Sequence, residues 1–257
     1  LKLAVVLPHK DRDVYKNFQK YYLSDYLSKQ GIEHKLFFCE QRDNLLFSRA
    51  MAINVGVLFA LEHYAPDYLV IGDIDLVPLT VDYTYPGTAE VWFGNAGGIK
   101  LLTTDFLLVN GYNNIFRGWG YEDSEFWYRL DVLGVPVTYW KYKALEGTTM
   151  VDLEMNTLDS YAHSLNYFGG LTNIRFFHPQ EVDVTKHINT VYPKTWLTDD
   201  IKTQNAKLSD SIKALPKYEL IPYFMRHGLH EINPRKIEVI DLTAKTIEIS
   251  FNSLTIA

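Results

Sequence analysis

Tyr68-Leu69-Val70-Ile71-Gly72-Asp73-Ile74-Asp75-Leu76-Val77-Pro78 is the stretch on which the fold turns. Four apolar or aromatic residues with no charge among them read as a strand buried on both faces. Two carboxylates at an i, i+2 spacing follow at once, ahead of the stiff Leu76-Val77-Pro78. Upstream, Phe47–His63 has apolar positions 47, 51, 55, 58, 59 and 61 at helical spacing and is closed by Ala65-Pro66. Lys35–Cys39 reads as a strand. Asp13–Lys29 carries apolar or aromatic residues at 14, 15, 18, 21, 22, 23, 26 and 27, a helix ended by Gln30-Gly31. Leu3–Leu7 is a strand stopped by Pro8. This β-α-β-α-β order predicts an α/β fold, a mixed but mostly parallel sheet flanked by helices. Such sheets bind ligands beyond the carboxyl ends of their strands, which is where Asp73 and Asp75 fall.

Downstream, a strand is expected over Gly97–Leu102, a helix starting over Asp105–Val109, and a Gly- and Asn-rich loop over Gly111–Gly120. Glu122–Leu133 reads as a helix with Phe126, Trp127, Leu130 and Leu133 inward, and Val135–Trp140 as a strand. Periodicity weakens over 146–220, apart from a helix at Thr198–Ala214. Lys236–Phe251 alternates into two strands around Thr243-Ala244. At about 150 residues per domain, 257 residues allow one domain or two. With no internal repeat and no low-complexity linker, one domain over 1–257 is expected, its 146–220 region elaborated.

Composition narrows the class. With 47% hydrophobic and 22% charged residues, a disordered or fibrous chain is excluded. Lys and Arg total 25 against 31 Asp and Glu, a net charge of −6 that does not suit a nucleic-acid binder tracking phosphates. A nucleotide ligand stays open, because one pocket can be basic on an acidic protein. Cys39 is the single cysteine, so no intramolecular disulfide forms, and a reducing compartment is expected. No apolar run approaches the roughly 20 residues that span a bilayer, and none reads as a signal peptide.

Asp73 and Asp75 offer the hard oxygens that Mg²⁺ and Mn²⁺ prefer, and a diphosphate would add more. Gly118-Trp119-Gly120-Tyr121-Glu122-Asp123-Ser124-Glu125 opens a helix on three acids, which the helix dipole favours. The dipole does not account for a Trp between two glycines in a loop. A ring face beside a carboxylate is a way to hold a sugar and take its proton. Lys10 and Arg12, after the first strand, could meet phosphate oxygens. Arg49 at a helix start opposes the dipole, so an acidic cleft or a diphosphate is expected to partner it.

Taken in order, these blocks resemble the β-1,4-galactosyltransferase family of inverting, metal-dependent GT-A glycosyltransferases. Pro8–Arg12 is similar to that family's nucleotide-binding Pro-Phe-Arg-x-Arg. Phe47–Gly56 resembles its Phe-Asn-Arg-Ala…Leu-Asn-Val-Gly block and Asp73–Pro78 its Asp-Val-Asp-Leu-Ile-Pro. Ala96-Gly97-Gly98-Ile99 falls where the family has Phe-Gly-Gly-Val. Asn110-Gly111-Tyr112 and Gly118–Glu125 resemble Asn-Gly-Phe…Gly-Trp-Gly-Gly-Glu-Asp-Asp. The likeness runs over residues 1–140 and returns in the closing strands from Gly228 to Phe251.

The resemblance implies an enzyme that moves galactose or N-acetylgalactosamine from a UDP-sugar to a glycan hydroxyl, with UDP-glucose a further candidate donor. It implies Mn²⁺ held by Asp75, with Asp73 serving the nucleotide-sugar. Pro8, Lys10, Arg12, Phe47, Arg49 and Gly98 would line the nucleotide-sugar site. Trp119 would sit in a mobile loop closing over donor and acceptor. Glu122 would contact sugar hydroxyls, and Asp123 would be the base that deprotonates the acceptor. A His would complete the metal site: His178, after the strand-like Ile174–Phe177, with His163 as the alternative and His187 a further candidate. Departures bear on this: Lys10 stands for an Arg, Tyr121 for a small residue, Ser124 for an acid. Asn95 falls where a smaller residue goes with acceptance of N-acetylgalactosamine. The family's disulfides have no counterpart, so a bacterial or viral cytoplasmic enzyme is expected ahead of the soluble catalytic part of a membrane-anchored Golgi enzyme. Two other classes compete. One is a catalytically inactive glycan-binding module, against which Asp75 and Asp123 argue. The other is a nucleotidyltransferase, which needs a glycine-rich phosphate loop that Leu7–Asp13 lacks.

Overall fold

The computed structural model describes residues 1–78, 81–92, 98–118, 120–140, 150–152, 199–233 and 237–253. Strand β1 (Lys2–His9) leads to α1 (Asp13–Lys29), β2 (Glu33–Gln41), α2 (Arg49–His63) and β3 (Tyr68–Ile71). Then come β4 (Leu76–Pro78), β5 (Ala89–Trp92), β6 (Gly98–Leu102), α3 (Thr103–Leu108), α4 (Glu122–Val132), β7 (Val137–Trp140) and β8 (Met150–Asp152). Helices α5 (Asp199–Lys213) and α6 (Lys217–Arg226), a 3-10 turn at Leu229–Glu231, and strands β9 (Glu238–Leu242) and β10 (Thr246–Phe251) complete the described elements.

The main sheet has the order β7-β5-β6-β3-β1-β2-β10-β9. Its centre is parallel: β1 pairs with β2 and β3, and β2 with β10. Antiparallel pairs lie outside that centre, β6 against β3 and β5, and β9 against β10. This is the expected mixed α/β architecture. Successive residues of a strand face opposite sides, and both sides are covered. Ala4, Val6, Phe37 and Cys39 pack with Ala50, Ile53, Val57 and Ala60 of α2. Leu3, Val5, Leu7, Leu36 and Phe38 pack with Tyr15, Phe18 and Tyr22 of α1. Burial on both faces explains why these strands read as continuous apolar runs. Helix α2 approaches so closely that a Cβ on Gly56 would stand 2.4 Å from Cys39 Sγ and 2.6 Å from Val6 Cγ1.

Three local expectations are corrected. Strand β1 does not stop at Pro8 but runs on to His9. Pro8 shares a side with Val6, whose carbonyl accepts from Gly72 N at 3.2 Å. Strand β3 has ended there, so the N–H that proline lacks has no partner strand to meet. Leu76–Pro78 is not merely stiff but pairs with β8 as a two-stranded ribbon. Helix α6 forms at Lys217–Arg226 despite Pro222, where no helix was expected. Helix α5 lies within one residue of the expected range. Within 146–220, residues 146–149 and 153–198 lie outside the described residues. Among the described residues, no helix is long and apolar enough to cross a membrane.

Candidate active site

The ends of β1 and β3 and the starts of α2 and α4 meet at one place. Arg12, at the N-cap position of α1, donates from Nη1 to Asp75 Oδ2 at 3.1 Å. Arg49, the first residue of α2, donates from Nε to Asp73 Oδ1 at 2.6 Å and from Nη1 to Asp123 Oδ1 at 2.7 Å. One guanidinium therefore joins carboxylates that lie 50 residues apart in sequence, as the unfavourable dipole position of Arg49 predicted. Ser48 caps α2, its Oγ accepting from Met51 N at 3.4 Å and donating to the Phe116 carbonyl at 2.9 Å. Gly118 N also donates to the Phe47 carbonyl at 2.7 Å. These bonds fasten the loop before α4 to the start of α2, which brings Asp123 to Arg49.

Electrostatics at this junction follow from burial. Glu122 is 7% exposed, and its Oε2 has no hydrogen-bond partner among the described residues. Burial, then the neighbouring Asp123, pushes its carboxyl up to about 8. Burial also raises Asp123, against the pull of Arg49. Arg49 itself is opposed by burial, but Asp123 and Asp73 outweigh that and hold it charged. Burial thus raises both neighbouring carboxyls, Glu122 and Asp123, and Arg49 pulls each of them back.

The other expected residues divide. Pro8 and Gly98 are buried, and Phe47 is half-buried. Gly98 opens β6 next to β3, where it shares a small cavity wall with Gly72 and Asp73. Lys10 donates from Nζ to the backbone carbonyls of Asp43 and of Leu45, the latter at 2.6 Å. It therefore braces the β2–α2 loop. Trp119, Asn95, His163, His178 and His187 lie outside the described residues.

Several residues hold the site through contacts that the sequence does not assign. Asn54 of α2 is fully buried; its Nδ2 donates to the Tyr112 carbonyl at 2.7 Å and its Oδ1 accepts from Tyr112 N at 2.9 Å. Gly111 makes this clamp possible. Its φ is +64°, and a Cβ there would stand 2.3 Å from Asn54 Oδ1. On the buried face of α4, Arg129 donates from Nε to both Glu125 oxygens at 2.9 Å and from Nη1 to the His227 carbonyl at 2.7 Å. Asn54 could have been flagged as an amide in an apolar helical run, and Glu125–Arg129 as an i, i+4 pair.

Residues 1–86 match the family model described as the N-terminal region of glycosyl transferase group 7. Residues 80–154 match the one described as the N-terminal domain of galactosyltransferase. Beta-1,4-galactosyltransferase 7 of Drosophila melanogaster is 34% identical over 155 residues, 53% of this chain and 47% of that protein. Xylosylprotein 4-beta-galactosyltransferase of Caenorhabditis elegans is 34% identical over 146 residues, 50% of each. The chain thus spans about half the length of these curated relatives. The crystal structure of a mutant Drosophila beta-1,4-galactosyltransferase 7 with manganese, UDP-Gal and xylobiose aligns with a TM-score of 0.59 at 20% identity, covering 98% of this chain and 92% of that one. At that identity the likeness speaks for the fold, which is GT-A. The two family models together cover residues 1–154, and over that span the chain belongs to glycosyl transferase group 7.

Proposed function

We propose that this chain is a UDP-sugar-dependent hexosyltransferase that moves galactose from UDP-galactose to a glycan hydroxyl, inverting the anomeric centre to give a β linkage. One observation carries the reading: Arg49 joins Asp73 at the end of β3 to Asp123 at the start of α4. A single cation bonded to both carboxylates supports reading Asp73 as a nucleotide-sugar contact and Asp123 as the base.

The chemistry is one displacement. The acceptor oxygen bonds to the anomeric carbon as its proton passes to Asp123. The bond from that carbon to the diphosphate oxygen breaks, and UDP leaves with the electron pair. A positioned base supports such a step best when its pKa lies near the working pH, and burial moves Asp123 in that direction. Glu122, whose carboxyl burial pushes up to about 8, is the candidate donor to a sugar oxygen. Arg12, Phe47, Gly98 and Asp73 are the candidate nucleotide-sugar contacts, and Trp119 the candidate sugar platform.

Asp75 and Asp73 have the hard-oxygen donors that suit Mn²⁺. Among the described residues no group of three or more His, Cys, Asp or Glu could hold a metal. A third ligand would come from His178 or His163. Bound Mn²⁺ supplies charge stabilisation to the departing diphosphate.

The test is a panel of UDP-galactose, UDP-N-acetylgalactosamine and UDP-glucose with the purified chain, in Mn²⁺ and in EDTA. It is scored for hydrolysis, for thermal stabilisation, and for transfer to xylose-ended and other glycan acceptors. Xylose-ended acceptors come first because the matched Drosophila structure holds xylobiose. UDP-galactose is expected to be the preferred donor. Binding no UDP-sugar better than UDP itself overturns the donor assignment, and glycan binding without turnover favours the inactive module.

A further inference from the structure

Tyr112 touches the candidate base directly. It is fully buried, and its ring stacks on Phe126 with centroids 4.0 Å apart and planes 2° apart. Its backbone is clamped on both polar groups by Asn54. Ring and backbone are thus both fixed, and the hydroxyl donates to Asp123 Oδ1 at 3.3 Å. Arg49 Nη1 donates to the same oxygen at 2.7 Å. Both donors therefore converge on Oδ1, and no described residue hydrogen-bonds Oδ2.

We propose that Tyr112 is a positioning residue that, with Arg49, holds Asp123 by Oδ1 and so leaves Oδ2 as the atom presented to the acceptor hydroxyl. This rests on Asp123 being the base. A carboxylate whose two oxygens are unequally engaged has one defined direction of proton uptake, and a hydrogen bond to its charged form keeps it ionised. The groups facing Asp123 are Arg49 from α2, Asp73 from the end of β3, Glu122 from α4 itself and Tyr112 from the loop before α4. Burial and Asp73 oppose the carboxylate form, while Arg49 and Tyr112 favour it.

Tyr112→Phe keeps the ring and its stack while removing only the donor. ¹³C-labelled aspartate NMR, with Asp123→Asn to assign the signal, reads the titration of Asp123 without any substrate. Its midpoint is expected to rise by about one pH unit in Tyr112→Phe. The acid limb of kcat/KM should rise with it while KM for UDP-galactose holds. A folding defect in that variant is bypassed with 3-fluorotyrosine at position 112, a stronger donor of nearly the same shape, which should move the midpoint down instead. Coincident titrations in all forms overturn the proposal. If the unaltered protein transfers sugar and the Tyr112→Phe pH profile coincides with its own, this proposal alone fails. If the unaltered protein transfers none, the transferase reading fails with it.

Discussion

Glu122→Gln should make the protein more stable in alkali and slightly less stable in acid. The carboxyl is 7% exposed with Oε2 unpartnered, and it is pushed from an ordinary 4.5 up to about 8. A raised folded-state pKa means the native state binds more protons than the unfolded chain between those values. Stability therefore falls as pH climbs from about 4.5 to about 8, where the unfolded carboxyl has already ionised. At about 1.4 kcal/mol per pH unit, the ceiling on that loss is about 5 kcal/mol. The amide of Gln must bury an N–H₂ with no better partner than Oε2 had, at a cost of about 1–3 kcal/mol. At the low end of that cost the net gain at pH 8.5 reaches about 4 kcal/mol, and the variant loses about 1 kcal/mol near pH 3, where the carboxyl is neutral in both states. Urea unfolding at several pH values reads both numbers. Stability differences that run parallel across pH would show that Glu122 does not carry its proton into the neutral range.

Three further outcomes follow from the same geometry. Arg129→Met strands the buried Glu125 carboxylate, so it should cost about 3–5 kcal/mol and lower Tm by roughly 6–20 °C in calorimetry, with Glu125→Gln in the same chain restoring part of the loss. Gly56→Ala gains about 1 kcal/mol of helix propensity but drives a methyl into Cys39 and Val6, so thermal unfolding should show a net loss of about 1–2 kcal/mol; a more stable variant contradicts the close approach of α2. Asp75→Asn should raise the Mn²⁺ concentration for half-maximal transfer at least about tenfold, measured by metal titration of the reaction, and an unchanged requirement removes Asp75 from the metal site.

What the sequence disclosed was local. Strands buried on both faces are unbroken apolar runs, and α1 and α2 carry helical spacing, so the β-α-β-α-β half could be read directly. Arg49 was legible for a physical reason: a cation at a helix start needs an anion, and the structure supplies Asp73 and Asp123. The polar clamp was not legible. Asn54 meets Tyr112 across 58 residues and Asn114 across 60, and no periodicity connects them. The short β5 has the mixed sequence Ala89-Glu90-Val91-Trp92, too brief for either alternation or an apolar run to register. Pro222 masked α6, whose inward Leu220 and Phe224 pack with Phe116 and Ile212. Lys10 looked like an open cation because the carbonyls it braces, Asp43 and Leu45, belong to a loop more than 30 residues away.

The central claim is that Asp123 takes the proton of an acceptor hydroxyl as galactose is transferred. Its most direct test is the rate of galactose transfer from UDP-galactose in Mn²⁺ by the unaltered protein and by Asp123→Asn, with UDP-galactose affinity measured alongside. Transfer by the unaltered protein is predicted, with a fall of about 10²–10⁴-fold in kcat for the variant at little changed donor affinity. Transfer by Asp123→Asn at the unaltered rate, or none by either protein, contradicts the account.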